Sequence, residues 1–401
     1  MDLHSGLPFG PLQHGIMTPY PSLQNDMSCE VAVIGGGITG ATLAWHLSDA
    51  GHEVALFDRR HIAMGSTAAT TALLQYELDV PLFELIKSKG EKIAVRSYQL
   101  CENAVHDIGS LCKQINAADL YQSSPSFQFA SFKKHRKDLE QEFLCRFKMG
   151  IPVHWLDAKE IKTKFGLDKT CGILSDTGAG LDAFAFTHTL LRKGLKKNLQ
   201  VYDHTGIEKI KYDKRSVLLH TKNGNKIKAS KLIIACGYES GSFLPMKLPQ
   251  SLYSTYAILS EPLGSAECWH KNALIWETAK PYCYLRVTKD NRIIIGGKDT
   301  AGSDPLKRYR LLPQKVKQLE KAFEKLFPQI NFITDFAWAG TFASTTDGLP
   351  YIGEVSKCPH TFFVIGTGGN GILFGMIAAG LAKDWLKKKA NKDMAIFSFN
   401  R

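Results

Sequence analysis

Gly35, Gly37 and Gly40 are spaced as G-x-G-x-x-G, and Asp58 follows 18 residues after the last of them. In such a run the first glycine permits a tight turn and the second lets backbone approach a pyrophosphate. The third lets the following helix lie close to the preceding strand. A carboxylate at Asp58 accepts hydrogen bonds from ribose hydroxyls. Arg59 and Arg60 come next, yet the acid standing first argues against a ribose 2′-phosphate. Together these residues specify dinucleotide binding, with Ile38 and Thr39 opening the helix at the phosphates.

The elements that must position them are legible around the same run. Residues 29–60, CEVAVIGGGITGATLAWHLSDAGHEVALFDRR, read as strand, glycine turn, helix and strand. Val31 to Ile34 form the apolar run that a parallel strand buried on both faces needs. Ala41, Ala44 and Leu47 share one helix face, and Gly51 stands where a left-handed cap is expected. A second glycine-rich turn, Gly366, Gly368, Gly369 and Gly371, lies between an expected strand at 362–365 and an expected helix at 372–386. Backbone N–H groups at such a helix start favour negative charge. Residues 361–382 carry no charge, but their six glycines break the segment into strand, loop and helix rather than a membrane span.

A chain of 401 residues exceeds one ordinary core, so two domains are expected. Hydrophobic content of 44% and charged content of 22% describe a soluble globular protein. The nine cysteines are scattered, with no C-x-x-C pair, and read as reduced thiols of a cytoplasmic protein. The first 28 residues lack a basic region followed by an apolar core, so they read as an irregular arm rather than a secretory signal. The formal net charge is +12, with basic runs at 133–137 and 387–389. These read as solvated faces. No RNA-binding aromatic signature or zinc spacing accompanies them, so no nucleic-acid partner is expected, while peripheral membrane contact stays open.

Further along, 82–113 and 133–149 are charged and helix-like, as is 184–197. Short strands are expected at 199–202, 207–212 and 216–221, with Asn223-Gly224 as a hairpin turn into 226–229. A separate buried strand is expected at 232–236. Residues 252–297 alternate in the manner of an antiparallel sheet, and a charged helix is expected at 313–326.

Several of these stretches resemble one family, the flavin-dependent oxidases and dehydrogenases of the D-amino-acid oxidase, glycine oxidase and sarcosine oxidase type. GSTAATTALL (65–74) is similar to the family's second flavin-contacting segment, with Thr67 where a serine is usual. ASKLIIACGYES (229–240) resembles the strand that closes the middle of the FAD domain, and YLRVTKDNRIIIGGKD (284–299) the substrate-sheet strand that reaches the flavin ring. FAWAGTFASTTDGLPYIGE with FFVIGTGGNGILFGMIAAGLA (336–382) resembles the carboxy-terminal signature.

The resemblance implies an α/β fold: a discontinuous Rossmann-like FAD domain with a parallel sheet, and a second, antiparallel-sheet substrate domain. The expected FAD-domain parts are 28–85, 150–245 and 340–395; the substrate-domain parts are 86–149 and 246–339. It implies FAD contacts at Gly35, Gly37, Ile38, Thr39, Gly40, Asp58, Arg59, Ser66, Thr67, Ala68, Ile207, Ala235, Gly237, Gly340, Gly366, Gly368, Gly369, Asn370, Gly371 and Ile372. Tyr284, Arg286, Lys298 and Phe342, together with Tyr76, are the candidates on the substrate side of the ring. No metal is expected, and His61 and His188 are expected to be structural.

The departures matter. Gly340 stands where some relatives attach flavin through a cysteine, so the FAD is expected to be non-covalent. Phe342 falls where amino-acid-using relatives place a carboxylate-binding arginine, which grips with two parallel hydrogen bonds. Gly369 occupies the position of a second arginine in glycine oxidase, and Ile294 that of an oxygen-promoting lysine in sarcosine oxidases. The expected activity is oxidation of a C–N bond in a small amine or amino acid by hydride transfer to flavin, the imine then hydrolysing. Oxygen or a quinone or carrier would take the electrons. Two alternatives stand: a dehydrogenase of a hydroxy acid or polyol phosphate that feeds a quinone or carrier, and a flavoprotein that modifies an RNA nucleoside side chain.

Overall fold

Met27–Ile34 lies inside an eight-stranded sheet because its apolar run has a partner on each edge. The computed structural model describes residues 2–15, 17–264 and 268–401. Val54–Phe57 pairs with Met27–Ile34 in parallel, and Leu199–Tyr202 continues the sheet beyond it. On the other edge runs Lys226–Ile234, again parallel. This is one long strand where two were expected. Its first half pairs with Val217–Thr221 and its second half with Cys358–Ile365, so Ser230 and Lys231 stay extended without a break. Ile207–Tyr212 and Tyr351–Val355 complete the sheet.

Helices Ile38–Asp49, Ala183–Gly194 and Gly371–Leu386 cover one face, with Leu47, Leu190 and Ala378 in a common core. The helical stretch expected at 82–113 is two helices, Leu82–Lys89 and Glu91–Gln114. The break falls at Gly90, whose φ of +83° disfavours other residues there.

The second sheet has nine strands in the order His4–Gly6, Thr334–Thr345, Gln250–Ser260, Ile293–Ala301, Cys283–Val287, Leu274–Glu277, Ser126–Phe129, Cys171–Ser175, Val153–Asp157. All neighbours are antiparallel except Leu274–Glu277 with Ser126–Phe129. Val153–Asp157 and Cys171–Ser175 lie in this sheet, so the chain does not pass between sheets at residue 150. One face is closed by helix Pro305–Leu326, whose Leu319 and Phe323 pack with Ile258, Leu285 and Ile295. That helix begins eight residues before the expected 313, because the Asp304 side chain accepts the Leu306 and Lys307 amides and Pro305 is tolerated in the first turn.

The amino-terminal arm is not irregular throughout. His4–Gly6 extends the edge of the second sheet, pairing with Gly340, Ala339 and Trp338, and Phe9–His14 is helical. Among the described residues no helix is long and apolar enough to cross a membrane. All nine cysteines are free.

Candidate functional site

The helices that follow the two glycine turns pack together near their starts. Helices Ile38–Asp49 and Gly371–Leu386 lie side by side, and a Cβ on Gly375 would sit 3.4 Å from the Cα and Oγ1 of Thr39. Their amino-terminal ends therefore face one region, although 333 residues separate Ile38 from Gly371.

At the first turn, Gly35 has φ +112°, and a Cβ there would fall 2.5 Å from the Ala235 carbonyl. One on Gly40 would fall 1.8 Å from the Gly35 oxygen, so both positions exclude a side chain. The amide of Gly36 donates to Asp58 Oδ2 at 2.7 Å and that of Arg60 to Oδ1 at 2.8 Å. Burial raises the Asp58 carboxyl above its ordinary value, and those two amides oppose the rise. Arg60 bonds Glu239 at 3.0 and 2.8 Å, and Arg59 also pairs with Glu239. With both guanidiniums held by one carboxylate, the acid-first reading of this strand tip gains a structural reason. Gly206 packs on Arg59, which brings Ile207 to the same end, and Gly237 (φ +61°) opens a short turn after Ala235. His61 bonds Asp203 at 3.0 Å, while His188 is buried beside Tyr20 and Phe184.

The middle segment closes over this turn. Thr67 Oγ1 accepts the Ile38 amide at 2.9 Å, and Ser66 and Ala68 belong to the same short helix, Ser66–Ala69. Strand Thr334–Thr345 crosses it: Trp338 Nε1 donates to the Ala69 carbonyl at 2.8 Å, and a Cβ on Gly340 would lie 3.1 Å from Ala69 Cβ. Ile294 packs in this cluster with Ala69 and Trp338.

At the second turn, Gly366 and Gly368 have φ of +69° and +57°. Asn370 Nδ2 donates to the carbonyls of Gln75 and Glu77 at 2.6 and 3.0 Å, so its side chain ties the loop to residues 75–77. Gly371 starts the helix and Ile372 is half-buried beside it.

The second sheet supplies the opposing wall. Tyr284 lies across Gly296, where a Cβ would meet its ring at 2.4 Å, and its hydroxyl is 3.4 Å from Thr255 Oγ1. Burial pushes its phenol up to about 12. Phe342 stacks on Tyr253 with ring centroids 5.6 Å apart, and both lie on the same sheet face as Thr255 and Trp338. Arg286 is tied to the segment after the short helix: its Nε donates to the Thr71 carbonyl at 2.6 Å. Tyr76 is fully buried, against Tyr98 and Arg146.

Lys298 faces away from this wall. Opposite Thr255 the strand carries two residues, Lys298 and Asp299, where the partner has one. This bulge, with Gly297 at φ +127° and Lys298 at φ +56°, reverses the alternation. Lys298 reaches Cys283, a member of the helix-covered core, and Asp299 turns to Thr255 instead. Asp299 and Asp79 were missed from the sequence. The Gly296-Gly297 pair was a bulge signal that would have found the first; nothing local marked the second. Asp79 accepts the Gly369 amide and, at 3.4 Å, the Tyr282 hydroxyl.

The family model described as FAD dependent oxidoreductase (DAO) matches residues 30–385. The chain belongs to this family. It is 25% identical over 390 residues to glycine oxidase of Geobacillus kaustophilus (strain HTA426), covering 93% of this chain and 97% of that one. It is 23% identical to gamma-glutamylputrescine oxidoreductase of Escherichia coli (strain K12), covering 93% and 87%. The fold matches the crystal structure of glycine oxidase from Geobacillus kaustophilus with a TM-score of 0.79 at 20% identity, covering 93% and 99%. It matches L-proline dehydrogenase from P. horikoshii with 0.77 at 18% identity, covering 95% and 97%.

The protein is thus an FAD-dependent oxidoreductase, and its residues fit that cofactor. Gly35 and Gly40 leave no room for side chains at the first turn, and an enclosed carboxylate stands at the ribose position. A second helix start lies near the first.

Proposed function

We propose that the protein oxidises a C–N bond of an amine or amino acid, with FAD held non-covalently. One observation carries the reading: Asp79 accepts the amide of Gly369 in the glycine loop and the hydroxyl of Tyr282 in the second sheet, so that loop and the sheet carrying Tyr284 and Phe342 come together at one residue. The relatives named above, and D-amino acid dehydrogenase of Neisseria meningitidis, carry names of amine or amino-acid chemistry.

When bound, FAD supplies the two-electron acceptor. The chain does the rest. Amides at the start of helix Gly371–Leu386 offer a preorganised positive end for charge that develops there. Tyr284 and the Tyr253–Phe342 stack wall the substrate and keep bulk water from it. The amine reacts as its neutral form, losing a hydride from carbon and a proton from nitrogen. Water then splits the imine into carbonyl and amine. Electrons leave to oxygen or to a quinone or carrier. Cys358 is buried in the core of the parallel sheet.

The test is anaerobic bleaching of the flavin spectrum by amines, D- and L-amino acids and hydroxy acids. Bleaching by amines or amino acids is expected; bleaching by hydroxy acids alone would defeat the reading. Acid precipitation should leave a yellow supernatant, and a yellow pellet would defeat non-covalent attachment.

A further inference from the structure

Two neighbouring strand ends of the parallel sheet bring metal-ligating side chains together. His61 follows strand Val54–Phe57, and Asp203 and His204 follow its partner Leu199–Tyr202. Asp203 Oδ2 accepts a hydrogen bond from His61 Nδ1 at 3.0 Å, and the Nε2 atoms of His61 and His204 stand 3.2 Å apart. One ligand atom from each of the three residues lies within 4.8 Å of the others. His204 holds its place at φ +44°, a conformation that residues other than glycine rarely adopt and that recurs at ligand clamps. Asp203 is 4% exposed, and among the described residues its only ion-pair partner is His61. No sequence spacing marks the group, since 142 residues separate His61 from Asp203.

We propose that His61 and His204 bind a divalent transition-metal ion such as Zn2+ through their Nε2 atoms, with Asp203 orienting His61 from behind. In a carboxylate–histidine–metal triad the ligating imidazole gives its other N–H to a carboxylate, which fixes the tautomer and raises the basicity of the ligand. Imidazole nitrogens that share a tetrahedral zinc at about 2.0–2.1 Å lie about 3.3 Å from each other. The spacing of 3.2 Å between these two is close to that. Their rings cross at 80° and both side chains are exposed, so either can turn its nitrogen onto a shared ion, with water completing the shell. A cation there also balances the buried carboxylate. Arg59 and Arg60, the cations next along the chain, are paired with Glu239. The ion ties together the strand ends that hold Asp58. The Asp58 carbonyl accepts the Thr205 amide at 2.7 Å, and the Arg60 carbonyl accepts that of His204 at 3.2 Å.

The experiment is calorimetric titration of ZnCl2 into untagged, chelator-treated holoenzyme, with NiCl2 and MgCl2 as further probes. Zinc and nickel, which suit imidazole, should occupy this site, whereas Mg2+, which takes oxygen ligands, should neither bind there nor compete with zinc. His204→Asn keeps a residue tolerated at positive φ and should remove the site. Asp203→Asn should weaken it about 10–100-fold. Zinc should also raise the melting temperature of the parent and leave that of His204→Asn unchanged. Both variants are first checked for the flavin spectrum of the parent. No zinc binding by the parent, competition by Mg2+, or zinc binding that survives His204→Asn undiminished would overturn the site. Undiminished affinity in Asp203→Asn would overturn the orienting role of that carboxylate.

Discussion

Gly375 packs against Thr39, with a Cβ on the glycine placed 3.4 Å from the threonine Cα. The contact holds the starts of two helices side by side and, in the function proposed above, brings both glycine turns to one cofactor. A methyl group fits at that spacing, whereas a longer side chain must push the helices apart at a cost of about 1–3 kcal/mol. Gly375→Ala should bind FAD much as the parent does. Gly375→Leu should weaken it about tenfold or more, read by flavin fluorescence quenching on titration of apoprotein.

Asp58 should matter through hydrogen bonding to ribose. Removing an acceptor that is ionised typically costs about 1.5–3 kcal/mol. Asp58→Ala should therefore raise the FAD dissociation constant about 10–100-fold. The same substitution frees the amides of Gly36 and Arg60, so a fall in the melting temperature of the apoprotein should accompany it.

The buried Arg146 supports the segment that carries Asp79. It bonds Glu142 at 2.6 Å and lies 3.6 Å from Glu77, while Glu142 also accepts the amides of Leu82 and Phe83. Truncating one partner of a buried pair leaves charge uncompensated, at about 3–5 kcal/mol. Arg146→Ala should lose stability of that order in urea unfolding. A loss below about 1 kcal/mol would show that the network is not a support.

The acid limb of stability should report Asp347. Burial opposes its ionisation, but hydrogen bonds from Arg401 at 3.0 and 3.1 Å and an ion pair with Lys89 at 2.9 Å hold it down at about 2. A depressed carboxyl stabilises the folded state above its unfolded value of 3.8, and that contribution disappears as pH falls from there through about 2. Asp347→Asn should lower the melting temperature at pH 6 and flatten its dependence between about pH 4 and 2. Parallel curves for parent and variant would contradict this.

The cofactor end was legible from sequence because its constraints are local. Gly35 and Gly40 are needed by steric contacts within one turn, and Asp58 by the end of the next strand. The continuity of Lys226–Ile234 was not legible, since Ser230 and Lys231 are polar and the strand runs on there along Met27–Ile34 while its other edge changes partner. Lys298 misled for a related reason. Alternation along the strand points it to the pocket, and one inserted residue exchanges its place with Asp299. Asp79 reaches the site through Asn370, whose contacts span 295 and 293 residues, and through the Arg146–Glu77 pair, and no spacing rule encodes such contacts.

Titration of FAD into apoprotein, with Gly37→Val and Gly371→Val alongside the parent, tests most directly whether both turns close on one cofactor. The parent should take up one FAD per chain, and each variant should lose about 100-fold in affinity while keeping its far-ultraviolet circular dichroism. A parent that refuses FAD, or a variant at either turn that binds it as the parent does, would contradict the account.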